Sequence, residues 1–131
     1  MLRLLLAAIA LVGVIGVFPI VQKQFLGTAP CPALGPIPAC YLVFLGYALI
    51  VGSAFAGSRY RFQTFAAGWV PLFVLALTGS GLELFGQEAC PRSSGGTPTC
   101  FLSLGLLILI IIIYLADRHY DSARQAKEAR K

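Results

Sequence analysis

Charged residues are scarce in this sequence. Only 11% of its 131 residues are Asp, Glu, Lys or Arg, against roughly 25% in a soluble domain. Such a chain cannot cover its own surface with polar groups, so an ordinary water-soluble globular domain is excluded. Histidine is limited to His119, which lies away from every cysteine. No cysteine pair has the close Cys-x-x-Cys spacing that zinc and copper sites use, so no metal site is expected. A nucleophile–base pair, a phosphate-binding loop, a carboxylate dyad and a cofactor fingerprint are also missing. The net charge of +5 invites a nucleic-acid reading. The basic residues, however, sit at the ends of apolar runs and in the tail, not on a face interleaved with aromatics. Nucleic acid is excluded as a partner.

Apolar sequence is plentiful, with 58% hydrophobic residues and a mean hydropathy of +0.84. Lipid is the medium that suits such a surface. About 20 apolar residues cross a bilayer core, with a lower limit near 17. Four runs approach that length, 4–21, 41–57, 66–85 and 101–116, the second and fourth being short. None contains Lys, Arg, His or Asp, and Glu83 is the one acidic residue within a run. Gly13, Gly16, Pro19 and Pro71 interrupt the runs, as is common for helices in lipid. Met1-Leu2-Arg3 opens like a signal peptide, but Val17-Phe18-Pro19-Ile20 offers no small-x-small cleavage site. The first span is expected to be retained. The expected fold is an all-α membrane protein, a four-transmembrane-helix bundle.

Orientation follows from charge. Arg3, Arg59, Arg61, Arg118, Arg124, Lys127, Arg130 and Lys131 fall on one side of such a bundle, and Lys23 and Arg92 on the other. The positive-inside rule then places both termini and the middle loop in the cytoplasm, N-in and C-in. Loops 22–40 and 86–100 face outward, and they hold all four cysteines. Disulfides persist outside the cytoplasm and rarely inside it. Charge and cysteine placement therefore choose the same side independently. The expected setting is the plasma membrane of a bacterium or archaeon.

The two cysteine loops repeat one pattern. Cys31-Pro32 runs to Pro38-Ala39-Cys40, and Cys90-Pro91 runs to Pro98-Thr99-Cys100. Gly27 and Gly86 each stand four residues before the first cysteine, and Tyr41-Leu42 and Phe101-Leu102 follow the second. The chain thus reads as two tandem helical hairpins in a parallel repeat. Residues 1–64 hold spans 4–21 and 41–57 with outer loop 22–40. Residues 65–131 hold spans 66–85 and 101–116 with outer loop 86–100, then a basic tail, 117–131. Self-contained repeats favour disulfides within each loop, Cys31 with Cys40 and Cys90 with Cys100; the alternative joins the loops across the pseudo-twofold axis. Pro36, Gly35, Gly95, Gly96 and the loop prolines are expected to prevent regular structure and to favour turns.

This layout resembles the bacterial disulfide-bond-formation protein B family and, more distantly, the vitamin K epoxide reductases. The resemblance covers the whole chain as architecture: four helices, N-in and C-in, with a cysteine pair in each outer loop. It implies electron transfer from a periplasmic thiol protein to a quinone, with Cys31, Cys40, Cys90 and Cys100 as redox centres. The family's Cys-x-x-Cys and the arginine that follows it have no counterpart here, where Tyr41-Leu42-Val43-Phe44 follows Cys40. From the residues themselves, Cys40 and Cys100 stand at helix starts, where the helix dipole favours a thiolate. Disulfides at helix starts are also a common way to anchor an external loop.

Glu83, near the outer end of its span, reads as an interfacial carboxylate reaching water or pairing with Lys23 or Arg92. Trp69, Tyr41, Tyr47, Tyr60, Phe62, Phe65 and Tyr114 read as interfacial belt or packing. The spacings Gly52-x-x-x-Ala56, Ser53-x-x-x-Gly57 and Ala76-x-x-x-Ser80 offer helix-packing surfaces. The tail reads as a solvated topology anchor that continues the last helix. The sequence favours a non-catalytic accessory or interaction subunit without a cofactor, in contact with lipid and with other membrane proteins. The alternative is a membrane thiol–disulfide oxidoreductase that uses a quinone.

Overall fold

The computed structural model describes residues 1–28, 31, 33–88, 90, 92 and 95–131, with Leu34 described by its backbone alone. Its helices are α1 Leu2–Phe25, α2 Ala39–Phe55, α3 Ser58–Leu84 and α4 Thr99–Glu128. A small ribbon, β1 Ala33–Leu34 and β2 Ile37–Pro38, lies between α1 and α2. The fold is all-helical, as the apolar runs require. α1, α3 and α4 are long and apolar enough to cross a membrane, whereas α2 has 17 residues. α3 begins at Ser58, well before the apolar run at 66, and α4 carries the tail in helix to Glu128. α2 stops because Ala56 and Gly57 turn extended, with ψ of 147° and 152°, and lead straight into α3.

The helix ends that feed the cysteine loops share one geometry. Gly27 has φ +69° and Gly86 φ +81°. Gly27 N–H donates to the Gln24 carbonyl and Thr28 N–H to that of Lys23. Gly86 N–H donates to the Glu83 carbonyl and Gln87 N–H to that of Leu82. Both are Schellman stops, in which a left-handed residue lets the chain satisfy the last helix carbonyls. Glycine takes that φ freely, which accounts for a glycine at the same place in each pattern.

The first loop is more regular than its prolines suggest. β1 and β2 pair antiparallel, Ala33 opposite Pro38 and Leu34 opposite Ile37. Gly35, at φ +68°, provides the positive φ that a two-residue hairpin turn needs. A two-stranded ribbon is all edge, so Pro38 is tolerated. In the second loop a single bridge sets Arg92 opposite Pro98, with Gly96 at φ +77°. Pro32 and Pro91 lie outside the described residues.

α2 packs between α1 and α3, and α4 closes the bundle against α1 and α3. Lipid tails are as apolar as Leu, so close approach and van der Waals fit decide how helices meet. Gly46 and Gly68 let the α2 and α3 backbones approach closely: a Cβ on Gly68 would lie 2.6 Å from the Gly46 carbonyl oxygen. Gly13 leaves room for the Tyr47 ring, which a Cβ there would meet at 2.6 Å. The small-residue spacings are used only in part. Ser53, Ala76 and Ser80 are buried, but a Cβ on Gly52 or Gly57 would meet nothing. Around these contacts lie Leu6, Ile50, Phe65, Leu72, Leu107 and Ile110. Val12, Ile15 and Phe18 of α1, Val74 and Leu77 of α3, and Ile112 and Leu115 of α4 face outward. That apolar exterior suits lipid.

At the end away from the cysteines an ion cluster joins three helices and takes in Asp117 at the head of the tail, while the rest of 118–131 is exposed apart from half-buried Asp121. Asp117 is only 6% exposed. It accepts a hydrogen bond from Arg61 of α3, and its Oδ2 lies 3.7 Å from Arg3 Nε of α1. One turn on, Asp121 accepts from Arg3 at 2.7 Å and lies 3.6 Å from Arg61. The Arg61 guanidinium also sits 5.6 Å above the Tyr114 ring, and Phe65 stacks on Tyr114 at 3.9 Å. Charge pairing makes burial of Asp117 tolerable, which hydropathy alone cannot foresee.

Candidate functional site

Each cysteine loop closes on itself. Cys31 is bonded to Cys40 and Cys90 to Cys100, with Cα–Cα separations of 6.2 and 6.0 Å. Cys40 and Cys100 are the second residues of α2 and α4, behind the caps Pro38 and Pro98. Both sulfurs therefore sit where unpaired helix N–H groups concentrate positive potential. Closing a loop of this size stabilises a fold by roughly 2.5–3 kcal/mol on the chain-entropy model.

Both bonds border one cavity of about 650 Å³. Cys40 reaches it from α2, and Cys90 and Cys100 reach it from the second loop and the start of α4. Gly13 and Val17 of α1, Val43 of α2 and Leu72 and Ala76 of α3 give it apolar walls. Four residues bring hydroxyls to these walls, Thr78 and Thr99 as well as Tyr47 and Ser103. Tyr47, 1% exposed, and Ser103 form a hydrogen bond of 2.9 Å between α2 and α4. Tyr47 lies two turns along α2 from Cys40, and Ser103 one turn along α4 from Cys100. The cavity thus runs from the disulfides into the bundle, with the hydroxyl pair at depth.

Gly79 of α3 holds the second disulfide from behind. A Cβ on it would lie 2.8 Å from Cys100 Sγ and 3.0 Å from Cys90 Sγ. One turn further along α3, Glu83 Oε1 lies 3.8 Å from Arg92 Nη2, and Arg92 also binds Glu88 at 3.2 Å. Arg92 is the partner on hand for Glu83; no contact with Lys23 is present among the described residues. Glu83 Oε2 is buried and without a hydrogen-bond partner. Trp69, Phe65 and Tyr114 pack inside the bundle as a stacked series, and Tyr41, Tyr60 and Phe62 are exposed.

No protein-family model matches this chain, and no curated protein or solved structure matches it either.

Sequence reasoning named the cysteines but did not bring Tyr47, Ser103 or Gly79 to them. A signal for two of these was available. Val43 and Tyr47 follow Cys40, and Ser103 follows Cys100, at the three- and seven-residue spacings that share a helix face. Gly79 gave no such signal, because its role depends on where α4 crosses α3.

Proposed function

We propose that this protein is a four-span membrane thiol–disulfide oxidoreductase. Both termini lie in the cytoplasm and both disulfide loops outside, and electrons pass from a soluble thiol protein to a lipid-soluble quinone. The convergence of the two disulfides on one apolar cavity carries the reading. A non-catalytic accessory subunit, which the sequence alone favours, needs pinned loops but has no use for an interior space bordered by sulfur. α2 crosses at the short limit, and local bilayer thinning makes up the difference. The matching glycine stops and proline caps support a reading of 1–64 and 65–131 as duplicated hairpins.

The residues present fit a quinone. Ligand sites commonly measure about 300–1,000 Å³ with apolar walls and few polar groups, and this cavity has both properties. When bound, a quinone supplies a two-electron, two-proton acceptor; the chain's own groups do the rest. A thiolate of the soluble partner attacks the Cys31–Cys40 bond, forming a mixed disulfide and releasing one cysteine thiolate. The partner's second thiol then attacks the mixed bond, leaving an oxidised partner and a reduced Cys31/Cys40 pair. Exchange with Cys90–Cys100 restores the first bond and moves the two electrons to the pair beside the cavity. Cys90 and Cys100 then stand as the reduced pair beside the cavity, where a bound quinone would supply the acceptor for two electrons and two protons as their bond re-forms. The N-termini of α2 and α4 stabilise the thiolates released at Cys40 and Cys100.

Redox titration of the purified chain tests this reading. At least one pair should titrate above about −300 mV, the range of labile bonds. Single cysteine variants should also accumulate a mixed disulfide with a soluble thiol protein. Two resistant bonds and no trapped species would return the accessory reading to first place.

A further inference from the structure

We infer that the Tyr47–Ser103 pair is a carbonyl-recognition site, donating a hydrogen bond to the carbonyl oxygen of a lipid-soluble ligand in the cavity. The argument is a count of protons. Two hydroxyls carry two O–H donors, and their mutual bond uses one. Several other helical hydroxyls return their donor to their own backbone, whereas Ser80 Oγ is buried without a partner among the described residues and does not border the cavity. Thr64 donates to the Tyr60 carbonyl at 2.9 Å, Thr78 to Val74 at 2.8 Å and Ser122 to Arg118 at 3.0 Å. Ser103 makes no such bond among the described residues and faces Tyr47 instead. One O–H of the pair therefore remains unspent, on two residues that both border the cavity.

The surroundings narrow the ligand. A bound water needs two to four polar partners; besides the pair, the side-chain hydroxyls bordering this largely apolar cavity among the described residues are those of Thr78, which donates to the Val74 carbonyl, and Thr99, which is itself partnered. No cationic side chain borders the cavity among the described residues, so a carboxylate or phosphate would lie there uncompensated. A neutral acceptor on an apolar body matches both constraints. Val12 and Leu102 border the cavity and are also well exposed on the outer surface, giving such a molecule a sideways path from lipid. A quinone carbonyl and a lipid ester carbonyl share this chemistry. Only the choice of quinone rests on the oxidoreductase reading.

Equilibrium binding to the full chain in lipid nanodiscs tests the inference with three probes: a benzoquinone with a decyl tail, decylbenzene as the matching tail on a ring without carbonyls, and a fluorescent diacyl phospholipid. Either single change leaves one hydroxyl with its O–H freed, so the double variant Tyr47→Phe/Ser103→Ala is the test: it should weaken binding of the carbonyl probe by roughly three- to tenfold, as one neutral hydrogen bond dictates. Decylbenzene should bind the wild type and the double variant equally, which shows that the cavity and the Gly13 contact survive. Hydroxyl-dependent binding of the phospholipid instead of the quinone would uphold the carbonyl site and remove the quinone from the proposed function. Hydroxyl-dependent quinone binding without disulfide exchange would uphold the site and end the oxidoreductase reading. A carbonyl-probe affinity unchanged in the double variant would overturn the inference.

Discussion

Gly79 and Cys100 touch so closely that one methyl group on residue 79 would stand 2.8 Å from the Cys100 sulfur. The contact ties α3 to the second disulfide without any side chain on the α3 side. It makes residue 79 sensitive to whether the sulfurs are held in place.

Gly79→Ala should destabilise the oxidised protein by about 1–3 kcal/mol, the usual penalty for an extra methyl in a packed interior. Reduction frees the thiols to rotate away, so the loss should shrink with reductant present. Thermal unfolding in detergent, with and without reductant, reads the difference. Equal losses in both states would show that sulfur is not the obstacle.

Gly68→Ala should cost about 2 kcal/mol or more, because the obstacle is the Gly46 carbonyl, 2.6 Å from the new Cβ, and backbone cannot swing aside. Gly52→Ala is the control. Its Cβ would meet nothing, and alanine's better helix propensity should leave stability unchanged or raised by up to about 1 kcal/mol. Denaturation of the two variants side by side separates a helix crossing from a merely small residue.

Asp117→Asn should lower stability by about 3 kcal/mol, since it strips Arg61 of its nearest counter-charge at a largely buried position. The Arg61 side chain is 11% exposed. Pairing Asp117→Leu with Arg61→Leu should recover most of that loss, because no unpaired charge is then left inside. A double variant as unstable as the single one would count against the ion pair as the cause.

The disulfides should be alike in worth. The two bonds close loops of sequence separation 9 and 10, so Cys31→Ala/Cys40→Ala and Cys90→Ala/Cys100→Ala should each cost up to roughly 3 kcal/mol. Chemical denaturation measures both. A much larger loss for the second pair would point to its packing against Gly79 rather than to loop closure.

Hydropathy, proline and glycine made the helices, their order and the cysteine loops legible, because each of those depends on neighbours along the chain. The helix ends were less so. α3 takes in Arg59 and Arg61 ahead of its apolar run, since a helix continues as long as no residue stops it, whatever its polarity. Asp117 looked solvated because its partners, Arg3 and Arg61, come from other helices. The cavity was hidden for the same reason. Cys40, Gly79 and Ser103 become neighbours only when α2, α3 and α4 have chosen their crossing points, and those crossings depend on single glycines whose purpose no pattern reveals. Glu83 was read with Arg92 as a candidate partner, and that contact is present at 3.8 Å.

The short join at Ala56–Gly57 bears on the order in which this molecule is made. α2 and α3 can pair as soon as both have left the ribosome, and Gly46 and Gly68 need no later segment to meet. α4 is synthesised last, and it alone brings Cys100 and Ser103 to the bundle. Until it docks across α1 and α3 the cavity lacks its α4 wall, the Tyr47 hydroxyl lacks Ser103 and there is no second bridge. A nascent chain arrested before Thr99 would be a three-helix intermediate with Cys90 still a free thiol, open to whatever oxidant or partner reaches it first.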